Sequence, residues 1–387
     1  MRLDLSQIQP PGRPGAARLV DPGAPGIWRW RTLLPVDPRV QVSLGEGDTP
    51  LLRLQRFGRR IGVKNLYVKD ESRNPTWSYK DRLCAAAISN ALEFGAEVVT
   101  VSSTGNHGAA TAAYAARAGL PCVVFTLASA PDVMKTLMQA YGARVVALEV
   151  PQDRWRLMKA MSEQHGWYAV SGFQTPPLGS NPFGIEGYKT IAFEIWEKTS
   201  DAWRQRGGAP DWVVVPTAHG DGLTGIWKGW RELHELGCVE KVPKMVAAEL
   251  NPSLSPALER NEASPVPAAS TAPADAPAFS INVATGTQQT LAAIRRSGGR
   301  AVCVQDADLV ALQLQLARDE GIYAETSSVA ALAAVQRLAA QGAVAEDDVV
   351  VAVITSSALK DPGATAARLP AVPVIAPDVA HVPRPQP

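Results

Sequence analysis

The sequence predicts an α/β protein built from two open, mainly parallel twisted sheets. Short β-branched runs alternate with helix-length segments, which is typical of parallel sheets covered by helices on both faces. These units fall into two groups within 387 residues, a length sufficient for two domains. Glycine and polar residues also follow several of the strands, at the ends where such sheets bind ligands.

The elements follow in order along the chain. The first 47 residues are rich in proline and glycine and predict an extended arm with little regular structure, although 27–31 can pack on the body or on a second subunit. Strands are predicted at residues 65–68, 97–103, 122–126, 143–150, 212–216, 244–250 and 347–355. Helices are predicted at residues 83–92, 109–118, 132–141, 154–164, 187–200, 223–236, 291–296, 309–321 and 328–341.

Two low-complexity segments complete this division. A Pro/Ala/Ser run at 263–277 predicts a surface loop, and from residue 362 a Pro-rich tail lies on the surface or is disordered. We divide the chain into four parts, which are an N-terminal arm (1–47), a large domain (48–91 and 201–362), a smaller domain (92–200) and a C-terminal tail (363–387).

The composition excludes several classes of protein. The net charge of +1 argues against a nucleic-acid or membrane-surface partner, and no apolar run is long enough to span a membrane. The N-terminus lacks the apolar core of a signal peptide. The four cysteines are scattered without a CxxC pair, so we expect reduced thiols in a cytoplasmic protein. The five histidines show no metal-ligand spacing, so we expect no metal site.

The stretch 69–82 follows an apolar run and leads into an alanine-rich helix. Asn74 and Pro75 predict a turn, and Thr76 and Ser78 can satisfy free N–H groups at a helix start. Lys80 then lies near the first turn, where the helix dipole disfavours an ammonium and so favours a neutral, nucleophilic amine. The alternative is an ordinary surface lysine in a charge cluster.

A second candidate site follows the predicted strand 97–103. The residues Ser103, Thr104, Gly105, Asn106 and His107 lead from that strand into a helix. Backbone N–H groups and the helix dipole would suit an anion such as a carboxylate there. The alternative is simple capping of the helix by the side chain of residue 104 or 106, and a lone histidine is more often structural.

A third candidate site follows the strand 212–216, and a fourth ends the last strand. The loop residues are Ala218, His219, Gly220, Asp221 and Gly222. Glycines and a following helix would suit a phosphate, although the pattern is neither GxGxxG nor a Walker loop, and a tight βα turn is the alternative. The hydroxyl of Thr355 could meet a ring nitrogen, or simply cap the strand end.

Together, these stretches resemble in order and spacing the fold-type II pyridoxal-phosphate enzymes of the tryptophan synthase β superfamily, and most closely the threonine synthase group. The resemblance covers roughly residues 27–362. The motifs that carry it are Asn74–Arg82, Ser103–Asn106, Ala218–Gly222, Thr355–Pro362, Leu44–Gly47, Thr49–Pro50, Glu186–Thr190 and Gly321–Glu325.

The resemblance implies a role for each site residue and a cofactor, pyridoxal phosphate, in the cleft between the two domains. Lys80 would hold the cofactor as a Schiff base and move the Cα proton. Asn106 would bind the ring 3-hydroxyl, the 218–222 loop the phosphate, and Thr355 the pyridine nitrogen. Ser103, Thr104, Gly105 and His107 would hold the carboxylate of a small amino-acid substrate. A homodimer is also implied.

Some departures from the threonine synthase pattern fall on the substrate side. Gly184 stands where these enzymes have an arginine that grips the substrate phosphate, a contact worth about 1.5–3 kcal/mol. Trp77 replaces a glycine, Tyr79 a phenylalanine, and 356–357 a Gly-His pair.

These departures give a hypothesis with two alternatives. We hypothesise α-proton abstraction and then β-elimination or β-replacement on a small amino acid, with the aminoacrylate hydrolysed to a keto acid and ammonia or trapped by a nucleophile. The first alternative is threonine synthase proper, acting on O-phosphohomoserine. The second is a non-catalytic scaffold.

Overall fold

The computed structural model describes residues 19–199, 203, 205–269, 272–273, 276–360, 362–377 and 382. The first 18 residues of the predicted arm, parts of the predicted 263–277 loop and the end of the predicted tail lie outside the described residues.

Within the described residues, ten strands form two sheets. They are β1 (Leu51–Arg53), β2 (Asn65–Asp70), β3 (Val99–Ser102), β4 (Cys122–Leu127), β5 (Arg144–Leu148), β6 (Tyr168–Ala169), β7 (Trp212–Pro216), β8 (Lys244–Glu249), β9 (Arg300–Cys303) and β10 (Val349–Ile354). The larger sheet has the order β1-β2-β10-β7-β8-β9, and the smaller has the order β5-β4-β3-β6. Every pairing is parallel except that of β1 with β2. The predicted α/β class with two mainly parallel sheets is therefore confirmed.

Helices cover these sheets. They are α1 (Gln55–Ile61), α2 (Lys80–Glu93), α3 (Asn106–Ala118), α4 (Asp132–Ala140), α5 (Pro151–His165), α6 (Pro182–Gly187), α7 (Lys189–Glu197), α8 (Asp221–Glu235), α9 (Leu254–Glu259), α10 (Gln288–Arg296), α11 (Asp306–Glu320), α12 (Thr326–Ala340) and α13 (Gly363–Ala366). The central strands β7 and β10 are buried along their whole length, as expected for β-branched runs with helices on both faces.

The prediction of an arm with little regular structure is wrong for its described part. A 3-10 helix, Gly26–Leu33, buries Ile27, Trp28 and Leu33 completely against the body. Trp30 is also fully buried, and its ring centroid lies 5.3 Å from that of Phe193 on α7. Burial of large aromatic side chains orders this proline- and glycine-rich segment, since each removes much apolar surface from water. Residues 27–31 were predicted to pack either on the body or on a second subunit, and the contacts described here are with the body.

Several short elements were not predicted. They are β1, α1, β6, α6, α9, β9 and α13, the last of which lies in the predicted tail. The predicted helix 187–200 corresponds to α7, and a separate short helix, α6, ends just before it, with Tyr188 between the two. No described helix is long and apolar enough to cross a membrane. All four cysteines are free.

Candidate active site

Three of the four candidate stretches follow neighbouring strands of the larger sheet. β2, β10 and β7 are adjacent and parallel, so their carboxyl ends meet at one edge. The Lys80 stretch follows β2, Thr355 follows β10 and the 218–222 loop follows β7. The fourth stretch, 103–107, follows β3 of the smaller sheet, and its side chains contact this edge through Asn106.

Main-chain contacts join these strand ends directly. The N–H of Tyr79 donates to the carbonyl of Thr355 (2.9 Å), and the N–H of Ser357 donates to the carbonyl of Trp77 (3.1 Å). A Cβ on Gly222 would lie 2.6 Å from the Tyr79 ring, so a glycine is needed where the loop passes this ring. The structure therefore brings all four predicted stretches together.

Lys80 is the first residue of α2, in agreement with its predicted place near a helix start. Its N–H donates to the hydroxyl of Ser78 (3.2 Å). The amine Nζ lies 5.0 Å from the ring centroid of Tyr79 and 5.7 Å from that of Tyr188. Among the described residues, no carboxylate comes within ion-pair distance of this Nζ. Because this Nζ has aromatic neighbours but no acidic partner, no ion pair has to be broken before it acts as a nucleophile.

The 218–222 loop presents free backbone donors. In the described part of the chain, the N–H groups of residues 218–222 have no hydrogen-bond acceptor. Gly220 has a φ of +96° and directly precedes α8, so the donors lie where the helix dipole is positive. Donors of this kind fit a phosphate group.

Hydroxyl groups hold the loop from the other side. Thr290 and Thr287 both donate to the carbonyl of His219, at 3.0 and 3.1 Å. The carboxylate of Asp221 accepts from the N–H of Ser180 (3.1 Å) and from Gln289 (3.2 Å). Because this carboxylate is engaged with these two donors, the group of Asp221 that suits a phosphate is its N–H.

The 103–107 loop also has donors to offer. Neither Thr104 nor Asn106 caps α3, because its N-cap is Gly105, with no side-chain hydrogen bond. Instead, the hydroxyl of Ser103 accepts from the N–H of Gly105 (3.2 Å). His107 is 9% exposed, and its Nε2 has no partner among the described residues. Burial and the nearby charge of Lys80 hold the pKa of His107 well below its usual value, so the imidazole is neutral.

Asn106 belongs to a polar group that sequence reasoning missed. Its Nδ2 donates to Glu325 Oε2 (2.8 Å), and its Oδ1 accepts from the ammonium of Lys360. Both partners lie inside motifs that carry the resemblance, at 321–325 and 355–362, but their side chains had no predicted role. The pairings bridge 219 and 254 residues of sequence, respectively.

Thr355 directly follows β10 and is 7% exposed. Its hydroxyl lies 2.9 Å from that of Ser328 on α12, and either oxygen can be the donor. Since a hydroxyl can donate one hydrogen bond and accept others, this contact leaves Thr355 able to bind a further group.

Trp77 has a φ of +58°, a conformation that favours glycine. Its carbonyl accepts from the N–H of Ser357 (3.1 Å) and the hydroxyl of Ser356 (3.0 Å), which together hold the turn. The indole is 43% exposed, three residues before Lys80. The backbone keeps a glycine-type conformation here although the residue has a large side chain. The strain lowers the stability of the folded protein by about 1 kcal/mol.

Gly184 lies on α6, packed against α2. A Cβ on Gly184 would lie 2.9 Å from Leu83 Cγ and 3.2 Å from the carbonyl oxygen of Leu83. A larger side chain at this position would therefore require the start of α2 to move.

A buried charge cluster holds several elements together, and it consists of Lys69, Glu71, Arg82 and Glu194. Arg82 donates to Glu71 at 2.6 and 2.8 Å and to Glu194 at 2.6 and 2.7 Å, and Lys69 donates to Glu194 at 2.6 Å. All four side chains are at most 1% exposed. Burial alone would raise the pKa of Glu194, but the charges of Arg82 and Lys69 outweigh it and hold that pKa well below its usual value.

Asp81, next to Lys80, is fully buried. Its carboxylate accepts from the N–H (2.9 Å) and the hydroxyl (2.7 Å) of Thr76 and so closes the turn before α2. Burial raises the pKa of Asp81 from 3.8 to about 7, because the two hydrogen bonds only partly offset the loss of water.

We therefore expect Asp81 to make the protein less stable as the pH rises from about 4 to about 7. In that window the folded protein keeps a proton on Asp81 that the unfolded chain has lost, and this contribution disappears as the pH passes the folded pKa. The free energy of unfolding should fall by on the order of a few kcal/mol across this window. Urea unfolding of the wild type and of Asp81→Asn at about pH 5 and about pH 7.5 isolates it. An equal change in both proteins would contradict the expectation.

A separate cavity of about 580 Å³ opens at the amino ends of β3 and β6, the edge opposite to residue 103. None of the predicted site residues lines it. Polar side chains that line it form hydrogen bonds with one another, since Tyr168 donates to Asn90 and Asn181 donates to Tyr168. We assign no ligand to it.

Comparison with known proteins agrees with this geometry. A family profile described as "Pyridoxal-phosphate dependent enzyme" matches residues 42–356. A threonine synthase of Methanocaldococcus jannaschii is 36% identical over 88% of this chain and 82% of its own length. A threonine synthase of Halalkalibacterium halodurans is 33% identical over 91% of this chain and 94% of its own length.

Solved structures with low sequence identity share the fold. Diaminopropionate ammonia lyase from Escherichia coli matches with a TM-score of 0.68 at 18% identity, over 85% of this chain and 92% of its own. A threonine deaminase from Solanum lycopersicum matches with a TM-score of 0.65 at 21% identity, over 80% and 83%. The chain thus belongs to the fold-type II pyridoxal-phosphate-dependent enzymes, as a homologue of threonine synthases, and its cofactor is pyridoxal phosphate.

Proposed function

We propose that this enzyme removes the α-proton of a small amino acid and then eliminates or replaces its β-substituent. Bound pyridoxal phosphate supplies an electron sink for the electron pair that proton removal leaves on Cα.

In this proposal, Lys80 binds the cofactor covalently and moves the α-proton through the same amine. Its lack of an acidic partner supports this role, because an ion-paired ammonium would be a poor nucleophile. The free N–H groups of Ala218, His219, Gly220, Asp221 and Gly222 bind the phosphate.

Asn106 and Thr355 bind the ring, the first at the 3-hydroxyl and the second at the pyridine nitrogen. A hydroxyl partner, unlike a carboxylate, does not keep the ring nitrogen protonated. The ring therefore withdraws electrons less strongly than a protonated ring would. Such an arrangement suits elimination and replacement better than transamination.

The substrate carboxylate is assigned to the loop of Ser103, Thr104, Gly105 and His107. His107 is neutral, and its Nε2 has no partner among the described residues, so it can donate or accept a hydrogen bond without adding charge. The backbone at the start of α3 adds the positive end of a helix dipole.

The observation that carries the choice of substrate is Gly184. The position that would provide a phosphate-gripping arginine has no side chain and is closed against Leu83, with 2.9 Å between a Cβ at 184 and Leu83 Cγ. A substrate without a phosphate needs no such contact.

A comparison of substrates tests the proposal. Small amino acids with a β-leaving group are supplied to the holoenzyme, and release of keto acid and ammonia is measured beside phosphate release from O-phosphohomoserine. We expect at least one β-substituted amino acid to react roughly tenfold faster or more, since one lost bidentate contact corresponds to that factor. Robust threonine and phosphate formation from O-phosphohomoserine would overturn the proposal.

Threonine synthase activity is the second candidate, favoured by the 33–36% identity with proteins of that name. Arg154 supports it as a possible replacement for the missing arginine. It lies in the first turn of α5 next to Trp155, whose ring centroid lies 6.4 Å from that of His219. Its Nε donates to the carbonyl of Pro151 (3.1 Å), and it has no carboxylate partner in the described part of the chain. If this candidate is correct, Arg154→Met should weaken phosphate release specifically.

A further inference from the structure

Lys360 is a buried ammonium that joins three segments of the site. It lies on the 3-10 turn Ala358–Lys360 after β10 and is 4% exposed. Its Nζ donates to the carbonyl of Thr76 (3.2 Å), in the turn before α2, and to Oδ1 of Asn106 at the start of α3.

These contacts determine the orientation of the Asn106 amide. An ammonium has donors only, so the amide group that faces Lys360 must be the oxygen. The NH₂ group therefore lies on the other side, where one of its two protons goes to Glu325 Oε2 (2.8 Å).

One Nδ2 proton of Asn106 is then left without an acceptor among the described residues. Glu325 cannot turn easily toward it, because its Oε1 accepts from the hydroxyl of Ser280 (2.5 Å). The free donor belongs to the residue proposed to bind the ring hydroxyl of the cofactor.

Lys360 itself has no ion pair within the described residues. Burial lowers the pKa of Lys360 to about 8, and the more distant charges of Glu325 and Asp81 only partly compensate. A buried cation without a direct counter-ion is costly, and a structural tether to Thr76 could be made by a neutral donor. The contact with Asn106 Oδ1 therefore indicates that the positive charge of Lys360 acts on the Asn106 amide.

We propose that Lys360 is a positioning residue, which holds the Asn106 amide with one N–H free for the ring oxygen of the cofactor and places a positive charge on the opposite side of the same amide. This inference rests on the proposed function, in which Asn106 binds the ring. It extends the site to a residue that need not touch the substrate.

Cofactor binding and absorption test this inference without knowledge of the substrate. Wild type, Lys360→Met and Lys360→Gln are loaded with pyridoxal phosphate, and the apparent dissociation constant and the pH midpoint of the visible band are measured. Methionine removes both donor and charge, whereas glutamine keeps a donor. The control is Lys189→Met, which removes another buried ammonium, one that is ion-paired with Glu186 (2.7 Å) and Glu232 (2.9 Å).

We expect Lys360→Met to bind the cofactor roughly three- to tenfold more weakly, since the amide of Asn106 is free to turn. Its pH midpoint should rise by about one unit, because a cation no longer favours the deprotonated form of the chromophore. Lys360→Gln should recover the affinity but keep the raised midpoint. Lys189→Met should leave the midpoint unchanged, even if it lowers the unfolding temperature.

The outcomes separate the inference from the proposed function. Unchanged affinity and midpoint in folded Lys360→Met, beside a yellow wild type, would overturn the inference alone. The same midpoint shift in Lys189→Met would overturn it too, as an effect of any lost buried charge. A wild type without a borohydride-sensitive visible band would overturn the proposed function and, with it, the inference.

Discussion

Replacing Lys80 by alanine is expected to abolish covalent attachment of pyridoxal phosphate and to lower turnover roughly 10³-fold or more. The proposed roles of Lys80 are both nucleophilic and acid–base, and a positioned acid–base group alone contributes about 10²–10⁴-fold. The measurement is borohydride reduction of the loaded protein followed by peptide mass spectrometry, with the cofactor mass expected on the peptide that contains Lys80.

Two further variants sharpen this test. Lys80→Arg keeps a positive charge but cannot form the linkage at neutral pH, so it should be as inactive as Lys80→Ala. Lys135→Ala removes a lysine that is ion-paired with Asp132 (2.9 Å) on the surface of α4, and it should behave like the wild type. Cofactor fixed by borohydride in Lys80→Ala would show that another amine holds it.

Replacing Arg82 by methionine is expected to cost about 3–5 kcal/mol in the free energy of unfolding. The substitution leaves the buried carboxylates of Glu71 and Glu194 with only Lys69 as a counter-ion. Burial and mutual repulsion then act on both acids, and their side chains cannot reach water without opening the contact between β2, α2 and α7. Urea unfolding of the cofactor-free protein measures the change.

The chain offers a matched control nine residues earlier. Arg73 pairs with Asp70 at 3.0 Å, but its side chain is 62% exposed. Arg73→Met should therefore change the stability by no more than about 1 kcal/mol, as is usual for pairs that water screens. If Arg82→Met unfolds within about 1 kcal/mol of the wild type, the buried charge cluster does not hold the elements together as inferred.

Local sequence patterns were sufficient for the long central elements. β7, β8 and β10 were predicted because strands buried on both faces are continuous runs of β-branched and other apolar residues. β6 and β9 were missed because both are short strands at sheet edges, where few positions are buried and the pattern is weak. α6 was missed because it is only six residues long and contains Pro182, Gly184 and Gly187, which weaken a helical pattern.

The sequence by itself determined the fold class, the family and the cofactor, because these depend on motifs of a few adjacent residues at strand ends. Only the tertiary structure decided how those motifs meet. It buried Trp28 and Trp30 of an apparently unstructured arm, closed Gly184 against Leu83, and brought Lys360 to Asn106 across 254 residues. The physical reason is that such contacts depend on the order of strands in a sheet and on the space left between packed helices, neither of which is encoded in a local pattern.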